Sequence, residues 1–306
     1  MRLFLPSALP SALLLCELIF SISANAGDGL AARYPEDVGI EKDPVVLFTE
    51  NFESGDMKKW DQTNGPVAMS EDRPHGGRWC VEMPMERGKN HGSDAIKWFL
   101  PGASTVYARF YVRFSKDYQY CHHFVWLSAN QRQNKWSSFG KAGLKPDGTY
   151  YSTGMEPWFA WGNNPSPGEV NLYTYFLDML PDPHMAGKYW GNGFFPSGPE
   201  RGKEAGPGRV IPPLDQWQCW EFMIQANSAP DKADGKQAMW VDGKRVGEFP
   251  GIHWRNDPNL LVNCLWLEHY GYDEGDPTKK YSKERQSVWF DDVVVAKEYI
   301  GPKVEK

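Results

Sequence analysis

The chain has 306 residues, a length that fits one large β domain or two smaller domains. It is 41% hydrophobic, 24% charged and 14% aromatic, with 30 Gly and 24 Pro, which is typical of a soluble protein of short strands and tight turns. The net charge of −6 argues against non-specific nucleic-acid binding, but it leaves room for an acidic ligand in a locally basic cleft.

The N-terminus has the features of a secretory signal peptide. Arg2 supplies a positive charge, residues 3–22 are mostly apolar, and Ala24 and Ala26 form a small-residue cleavage site before Gly27. Prolines and a glutamate interrupt the apolar run, which argues against a stable membrane span. We therefore predict a secreted or periplasmic protein with a signal peptide at residues 1–26, a mature tail at 27–43 and a single β domain at 44–306.

Short apolar or alternating runs follow one another along the chain, with little helical periodicity. In residues 105–115, small and apolar residues alternate with Tyr and Arg, so Arg109, Tyr111 and Arg113 share a face. Asp242-Gly243 between two alternating runs predicts a hairpin. The other predicted strands are residues 45–52, 122–129, 149–161, 169–179, 216–225, 260–272 and 287–300. This order predicts an all-β fold, an antiparallel β-sandwich or jelly roll.

Four cysteines remain after the signal peptide, at positions 80, 121, 219 and 264. In an exported chain they allow two disulfides with three possible connectivities, and free buried thiols are the alternative. Their wide spacing argues against a zinc site. Residues 178–216 are rich in Gly and Pro but also carry aromatic residues, so we predict an ordered loop over the binding face.

Three passages together resemble polysaccharide lyase family 14 and its relatives. They are residues 47–61, residues 106–118 and the C-terminal part from residue 239 to residue 295. The resemblance implies a concanavalin-A-like jelly roll that cleaves uronate polymers such as alginate or glucuronan. That fold also carries sugar-binding modules and glucanases.

The resemblance also implies site residues. Tyr173 and Tyr175 match the Y-x-Y pair that supplies the catalytic phenol in these lyases, and Asn171 shares their face. His122 or His123 stands where the catalytic lysine is expected. Glu156 and Trp158 fall on the S-x-R element.

β-Elimination from a uronate needs a base for the C5 proton, an acid for the leaving oxygen and a partner for the carboxylate. We predict His123 as the base or carboxylate partner, since histidine titrates near neutrality, and Tyr175 as the acid or base, with Tyr173 as the second catalytic tyrosine of the pair. Arg113 or Arg109 would neutralise the carboxylate. The predicted substrate-binding residues are Arg109, Tyr111, His122, Glu156, Trp158, Asn171 and His269.

Other interpretations of the same residues stay open. Each of these side chains is also a common occupant of an ordinary β-sheet face. A non-catalytic carbohydrate-binding module is the second functional class, and a glycoside hydrolase, which needs two carboxylates on one face, is the third. The predicted chemistry requires no cofactor, and the predicted partner of this monomer is an anionic polysaccharide. A structural calcium ion between the first and last strands would use Glu53, Asp56 and Asp291 or Asp292.

Overall fold

A computed structural model describes residues 29–183, 186–198, 208–271 and 285–305. Within these ranges the chain forms fifteen strands in two antiparallel sheets, which confirms the predicted all-β sandwich. The strands are β1 Val46–Glu50, β2 Gln62–Asn64, β3 Ala68–Ser70, β4 Cys80–Glu86, β5 Gly92–Ala103, β6 Thr105–Phe114, β7 Val125–Asn130, β8 Tyr150–Trp158, β9 Glu169–Tyr175, β10 Asn192–Phe194, β11 Gln218–Gln225, β12 Gly235–Val241, β13 Lys244–Ile252, β14 Val262–Tyr270 and β15 Arg285–Ala296.

The sheets differ in strand order. Sheet A runs β13-β12-β11-β6-β15-β4-β3, with β1 paired to β15. Sheet B runs β10-β9-β8-β7-β14-β5-β2. Strands adjacent in a sheet are often distant in sequence, as where β7 pairs with β14, so the topology brings separate parts of the chain onto one face.

The core lies between the two sheets. Alternating residues of β6, among them Phe110 and Phe114, pack against β7 and β8 residues such as Leu127 and Met155. Because side chains alternate along a strand, the neighbours of these core residues point to the outer face of their own sheet. The outer face is the one turned away from the other sheet.

The hairpin predicted at Asp242-Gly243 is confirmed between β12 and β13. Both residues have positive φ, 49° and 74°, as a two-residue turn of this kind requires. Strands β2 to β5 and β10 were not among the predicted strands. Several of them are short or carry Gly and Pro, which weakens a sequence signal.

Residues 29–43, most of the predicted mature tail, lie against sheet A. Short 3₁₀ helices span Leu30–Arg33, Pro35–Asp37 and Ile40–Lys42, and a fourth spans Ala160–Gly162. Leu30 and Ile40 are buried beside Ile300, and the Leu30 amide donates to the Tyr299 carbonyl at 2.9 Å. The four cysteines are buried and free, so the alternative of free thiols is confirmed over the disulfides.

The predicted signal peptide lies outside the described residues. Among the residues that are described, no helix has the length and apolar character needed to cross a membrane.

Candidate functional site

The outer face of sheet B carries the residues of the candidate site. Strand β9 places Asn171, Tyr173 and Tyr175 on this face and turns Leu172 toward the core, which confirms the predicted alternation. Strand β8 contributes Glu156 beside Asn171, since the two are directly paired in the β8–β9 register. A band of buried polar and aromatic side chains therefore crosses neighbouring strands.

His123 and Glu156 form the polar centre of this band. His123 Nδ1 lies 3.2 Å from Glu156 Oε2, and the side chains are 21% and 7% exposed. Burial lowers the pKa of His123 to about 4, so the ring is neutral at pH 7. With a Glu156 carboxylate the Nδ1 proton is the donor, which leaves Nε2 as the basic nitrogen.

Tyr173 lies against His123, with 5.3 Å between the ring centroids. The Gly191 amide donates to the Tyr173 hydroxyl at 2.8 Å, and that hydroxyl lies 3.4 Å from the Tyr175 hydroxyl. Both tyrosines are buried, at 7% and 6% exposed, but only Tyr173 lines the pocket described next. The structure thus places Tyr173 at the pocket, rather than Tyr175, which was predicted as the acid or base.

A cavity of about 100 Å³ opens at this point. His122, His123, Glu156, Trp158, Asn171 and Tyr173 line it, together with residues that include Tyr120 and Phe195. Within the described part of the chain, none of its lining residues is Lys or Arg. The pocket therefore offers a neutral imidazole, a phenol and a carboxylate to a ligand.

Both adjacent histidines line the pocket, although adjacent residues of a regular strand point to opposite faces. The reason is local: β7 begins only at Val125, and His123 makes an isolated bridge to Tyr270. The exposed His122 accepts or donates a hydrogen bond with the Tyr120 hydroxyl at 2.9 Å. The two imidazole centroids lie 4.3 Å apart.

Glu268 belongs to this outer face, although not to the pocket lining, and the sequence analysis selected its neighbour His269 instead. Glu268 faces outward from β14, and Trp126 Nε1 donates to its Oε2 at 2.9 Å. Burial raises the pKa of Glu268 well above its usual range, and the nearby Asp94 and Glu156 carboxylates raise it further. The signal was available, because the alternation Trp266, Glu268, Tyr270 sets these residues on one face opposite Leu265 and Leu267.

The prediction that His269 binds substrate is wrong. His269 is fully buried between the sheets, where it contacts the Tyr118 hydroxyl at 2.9 Å and the Met83 carbonyl at 2.7 Å. The neighbouring Leu267 and Leu265 point the same way into the core, so strand alternation fixes this orientation.

The arginines and Tyr111 of β6 do not reach the site, which corrects that part of the prediction. They lie on the outer face of sheet A, because the alternate residues of β6 fill the core. Arg109 forms a buried ion pair with Asp37 and donates to the Asp292 carbonyl at 3.0 Å. Arg113 donates to the Asp72 carbonyl at 2.5 Å. The Tyr111 hydroxyl accepts the Lys303 amide at 2.9 Å.

The predicted calcium ligands are occupied by protein donors. Glu53 accepts the Arg78 and Trp79 amides, and Asp292 contacts His75 at 2.8 Å and Lys303 at 2.9 Å. Asp56 pairs with Lys58 at 2.6 Å. In the part of the chain that is described, no group of three His, Cys, Asp or Glu side chains has a geometry that would hold a metal ion.

Neither protein-family models nor curated protein sequences match the chain. Solved structures do. An alginate lyase from Chlorella virus is 15% identical, with a TM-score of 0.57 over 82% of this chain and 99% of that chain. The marine PL-14 alginate lyase from Aplysia kurodai is 13% identical, with a TM-score of 0.57 over 82% of this chain and 98% of that chain. The endo-β-1,4-glucuronan lyase from the fungus Trichoderma reesei is 16% identical, with a TM-score of 0.53 over 82% and 95%. The resemblance inferred from sequence is thus confirmed for the fold: the chain has the jelly-roll architecture of these lyases.

Proposed function

We propose that this protein is a polysaccharide lyase that cleaves a uronate-containing polymer by β-elimination. The observation that carries the proposal is the meeting of His123 and Tyr173 at one pocket, with ring centroids 5.3 Å apart. A base and an acid that act on the same sugar must face one cavity. The shared fold with alginate and glucuronan lyases supports the same chemistry.

His123 is the proposed base. Its neutral Nε2 takes the C5 proton, and the electron pair of that C–H bond forms the C4–C5 double bond as the C4–O4 bond breaks. Glu156, 3.2 Å from Nδ1, stabilises the imidazolium that results. Nδ1 and Nε2 thus have separate tasks, one in orientation and one in proton transfer.

Tyr173 is the proposed acid. Its hydroxyl gives a proton to O4 as the bond breaks, which leaves a phenolate beside the imidazolium. The Gly191 amide already donates to this oxygen at 2.8 Å, so it stabilises the negative charge that develops there. Proton return from His123 to Tyr173 through solvent restores the starting state. Tyr175, 3.4 Å from the Tyr173 hydroxyl, positions it.

The uronate carboxylate needs a polar partner that the arginines of sheet A do not provide. We assign this role to His122, which is exposed at the pocket and fixed by its contact with Tyr120. Asn171 and Trp158 complete the substrate contacts in this proposal. Trp158 offers an apolar ring surface, and its ring lies 5.0 Å from that of Phe195.

The test follows absorbance at about 235 nm with a panel of uronate polymers, because elimination leaves an unsaturated, conjugated product. We expect wild-type protein to raise the absorbance on at least one polymer. Tyr173→Phe and His123→Gln should each lower kcat by about 10²- to 10⁴-fold, the usual contribution of a positioned acid or base. Tyr34→Phe, which removes a hydroxyl that contacts Asp43 far from sheet B, is the control and should leave the rate unchanged.

A glycoside hydrolase is the second candidate, and one observation favours it. Glu156 and Glu268 are buried on the same face, on the two strands that flank β7, so their backbones are about 10 Å apart. An inverting hydrolase uses one protonated and one ionised carboxyl group about 6.5–9.5 Å apart, a distance that side chains from these two strands can span. New reducing ends without absorbance at about 235 nm would favour this candidate. Binding without either signal would indicate a carbohydrate-binding module.

Export is part of the same proposal, since such polymers are extracellular. The sequence pattern of residues 1–26 supports it. Processing after Ala26, measured as the mass of the protein secreted from a bacterial host, is the experiment. Retention of residues 1–26 in the secreted or periplasmic fraction would contradict the cleavage site.

A further inference from the structure

A row of aromatic rings continues from the pocket across the outer face of sheet B. We call it the aromatic path; it consists of Trp126, Trp266, Phe139, Trp136 and Trp98. It begins beside the pocket, since Trp126 lies 5.3 Å from His123 between ring centroids. The successive centroid distances along the path are 6.5, 4.7, 4.8 and 4.8 Å. Pocket and path together extend from β9 to β5, which is four strand spacings of about 4.8 Å.

The far end of the path is held in place before any ligand binds. Trp136 and Phe139 lie in the loop between β7 and β8. The Ser138 amide in this loop donates to Asn130 Oδ1 at 2.9 Å. Trp98 Nε1 donates to the Lys135 carbonyl at 3.1 Å, which ties the loop to β5. A surface fixed in this way loses little conformational entropy on binding.

Trp136 is exposed although it is a large apolar side chain. It is 37% accessible, while the rings beside it, Trp98 and Phe139, form an apolar support. Trp136 thus offers an exposed ring surface on a supported platform, and the flat C–H faces of sugars pack well on aromatic rings.

Lys135 adds a positive charge at the same place. Its Nζ lies 4.1 Å from the centroid of Trp98 and 5.6 Å from that of Trp136. Lys135 forms no ion pair with any carboxylate of the described residues, whereas Lys141 in the same loop is paired with Asp147 at 2.9 Å. A lysine ammonium group that lies close to aromatic rings is complementary to a sugar that carries a carboxylate.

We propose that the aromatic path is a second part of the substrate site, where Trp136 stacks on a sugar ring of the bound polymer and Lys135 pairs with a uronate carboxylate. This inference rests on the proposed function for the identity of the polymer. It makes the protein selective for oligosaccharides long enough to reach from the pocket to β5. The ligand class is therefore an extended, carboxylated chain rather than a single sugar.

Calorimetric titration of the Tyr173→Phe variant tests the inference without turnover. The ligands are uronate oligosaccharides from dimer to hexamer, with neutral cello-oligosaccharides of equal length for comparison. We expect affinity for uronates to rise with length, and Trp136→Ala to lower hexamer affinity by about tenfold while dimer affinity stays the same. Lys135→Ala should weaken only uronate binding and reduce its dependence on salt.

Two matched controls lie on the other side of the molecule. Trp217→Ala removes a ring near Arg113 on sheet A, and Lys42→Ala removes a lysine whose side chain is 82% exposed. Neither should change any affinity. If Trp136→Ala fails to fold, as judged by circular dichroism, Lys135→Glu replaces it and should abolish the gain in affinity with uronate length.

The possible outcomes separate this inference from the proposed function. Equal affinities of Trp136→Ala and its parent at every length would overturn the aromatic path, even if wild-type protein gives the absorbance rise at about 235 nm. A length-dependent loss in Trp136→Ala without any absorbance rise would support the path and contradict the lyase. If Lys135→Ala lowers the affinity for neutral and uronate oligosaccharides equally, the assigned contact between Lys135 and a uronate carboxylate is wrong.

Discussion

The outer faces of the two sheets carry similar residue types with opposite consequences. On sheet A, Arg109 is fully buried and pairs with Asp37, and the N-terminal segment covers it. On sheet B, His123 stays partly exposed at a cavity, and its partner Glu156 lies in the same pocket. Charge on sheet A is therefore used to attach chain segments, whereas on sheet B it remains available to a ligand.

The difference shows why alternation alone does not locate a site. The Tyr–Arg face of β6 and the Tyr–Asn face of β9 look alike in sequence, because each is a polar and aromatic face of a strand. The two faces differ in whether other chain segments pack on them. Strand β6 is covered by residues 29–43 and by the C-terminal residues around Lys303. The Tyr111 hydroxyl of β6 accepts a hydrogen bond from the Lys303 amide of the C-terminal segment. By contrast, Asn171 and Tyr173 of β9 line an open cavity.

Removal of the buried charge on sheet A should have the largest effect on folding. Arg109→Met leaves Asp37 without its partner and the Asp292 carbonyl without a donor. We expect the free energy of unfolding to fall by about 3–5 kcal/mol, the usual consequence of breaking a buried ion pair. Urea denaturation followed by tryptophan fluorescence measures this change.

The control for this prediction is an exposed arginine of the same sheet region. The Arg78 side chain is 71% exposed and contacts Glu71 at 2.7 Å, so Arg78→Ala should change stability by less than about 1 kcal/mol. If both variants lose a similar free energy of unfolding, burial does not determine how much each arginine contributes to stability. Where Arg109→Met remains folded, its affinity for oligosaccharides should equal that of wild-type protein.

Loss of charge at the pocket of sheet B should act on catalysis instead. Glu156→Gln keeps an acceptor near His123 Nδ1 but removes the negative charge that stabilises the imidazolium. We expect kcat to fall on the order of 10²-fold, while the urea midpoint changes little. Glu169→Gln changes another buried carboxylate of the same face, which accepts from Ser197 and lies 3.8 Å from Arg209 Nε outside the pocket, and it should leave kcat nearly unchanged. A large stability loss in Glu156→Gln with unchanged kcat would make this residue structural.

The pH dependence of activity should report the environment of His123. Burial lowers its pKa to about 4, and the base acts in its neutral form. The rate kcat/KM should therefore rise with pH through about 4 and be constant from there to neutral pH, rather than rising near the value of about 6.5 for a free histidine. Folded His123 also binds fewer protons than unfolded His123 between these values, so the contribution of this residue to stability should increase with pH over that window. A rate that rises near 6.5 would contradict the lowered pKa of the proposed base.

Much of the fold follows from local pattern, whereas only part of the site does. The β6, β8, β9 and β14 runs alternate clearly, and the Asp242-Gly243 turn sets a hairpin, because these signals depend on neighbouring residues. The faces of Tyr173 and Asn171 follow from the same rule. Which sheet a strand joins depends on long-range pairing, so the position of Arg113 far from His123 was not accessible from alternation. His269 was misassigned because one residue along a strand reverses the face, and only the register of β14 with β5 and β7 fixes it.

Substitution of Glu268 gives the smallest expected change in stability. It also contrasts most clearly with sheet A, where the buried charge of Arg109 is paired with a carboxylate. The Glu268 carboxyl accepts from Trp126 and faces two other carboxylates, and burial keeps its pKa well above the usual range. Folded Glu268 therefore holds a proton that the unfolded chain releases above about pH 4.5, so the contribution of this residue to stability should fall as pH rises from there. Glu268→Gln keeps the shape and cannot ionise. We expect its Tm to match wild-type protein near pH 4 and to exceed it slightly at pH 8, measured by calorimetry. A Tm difference that stays the same at both pH values would mean that the pKa of Glu268 is the same in the folded and unfolded states. Glu268 would then be ionised at neutral pH and could not serve as the protonated member of a carboxyl pair with Glu156.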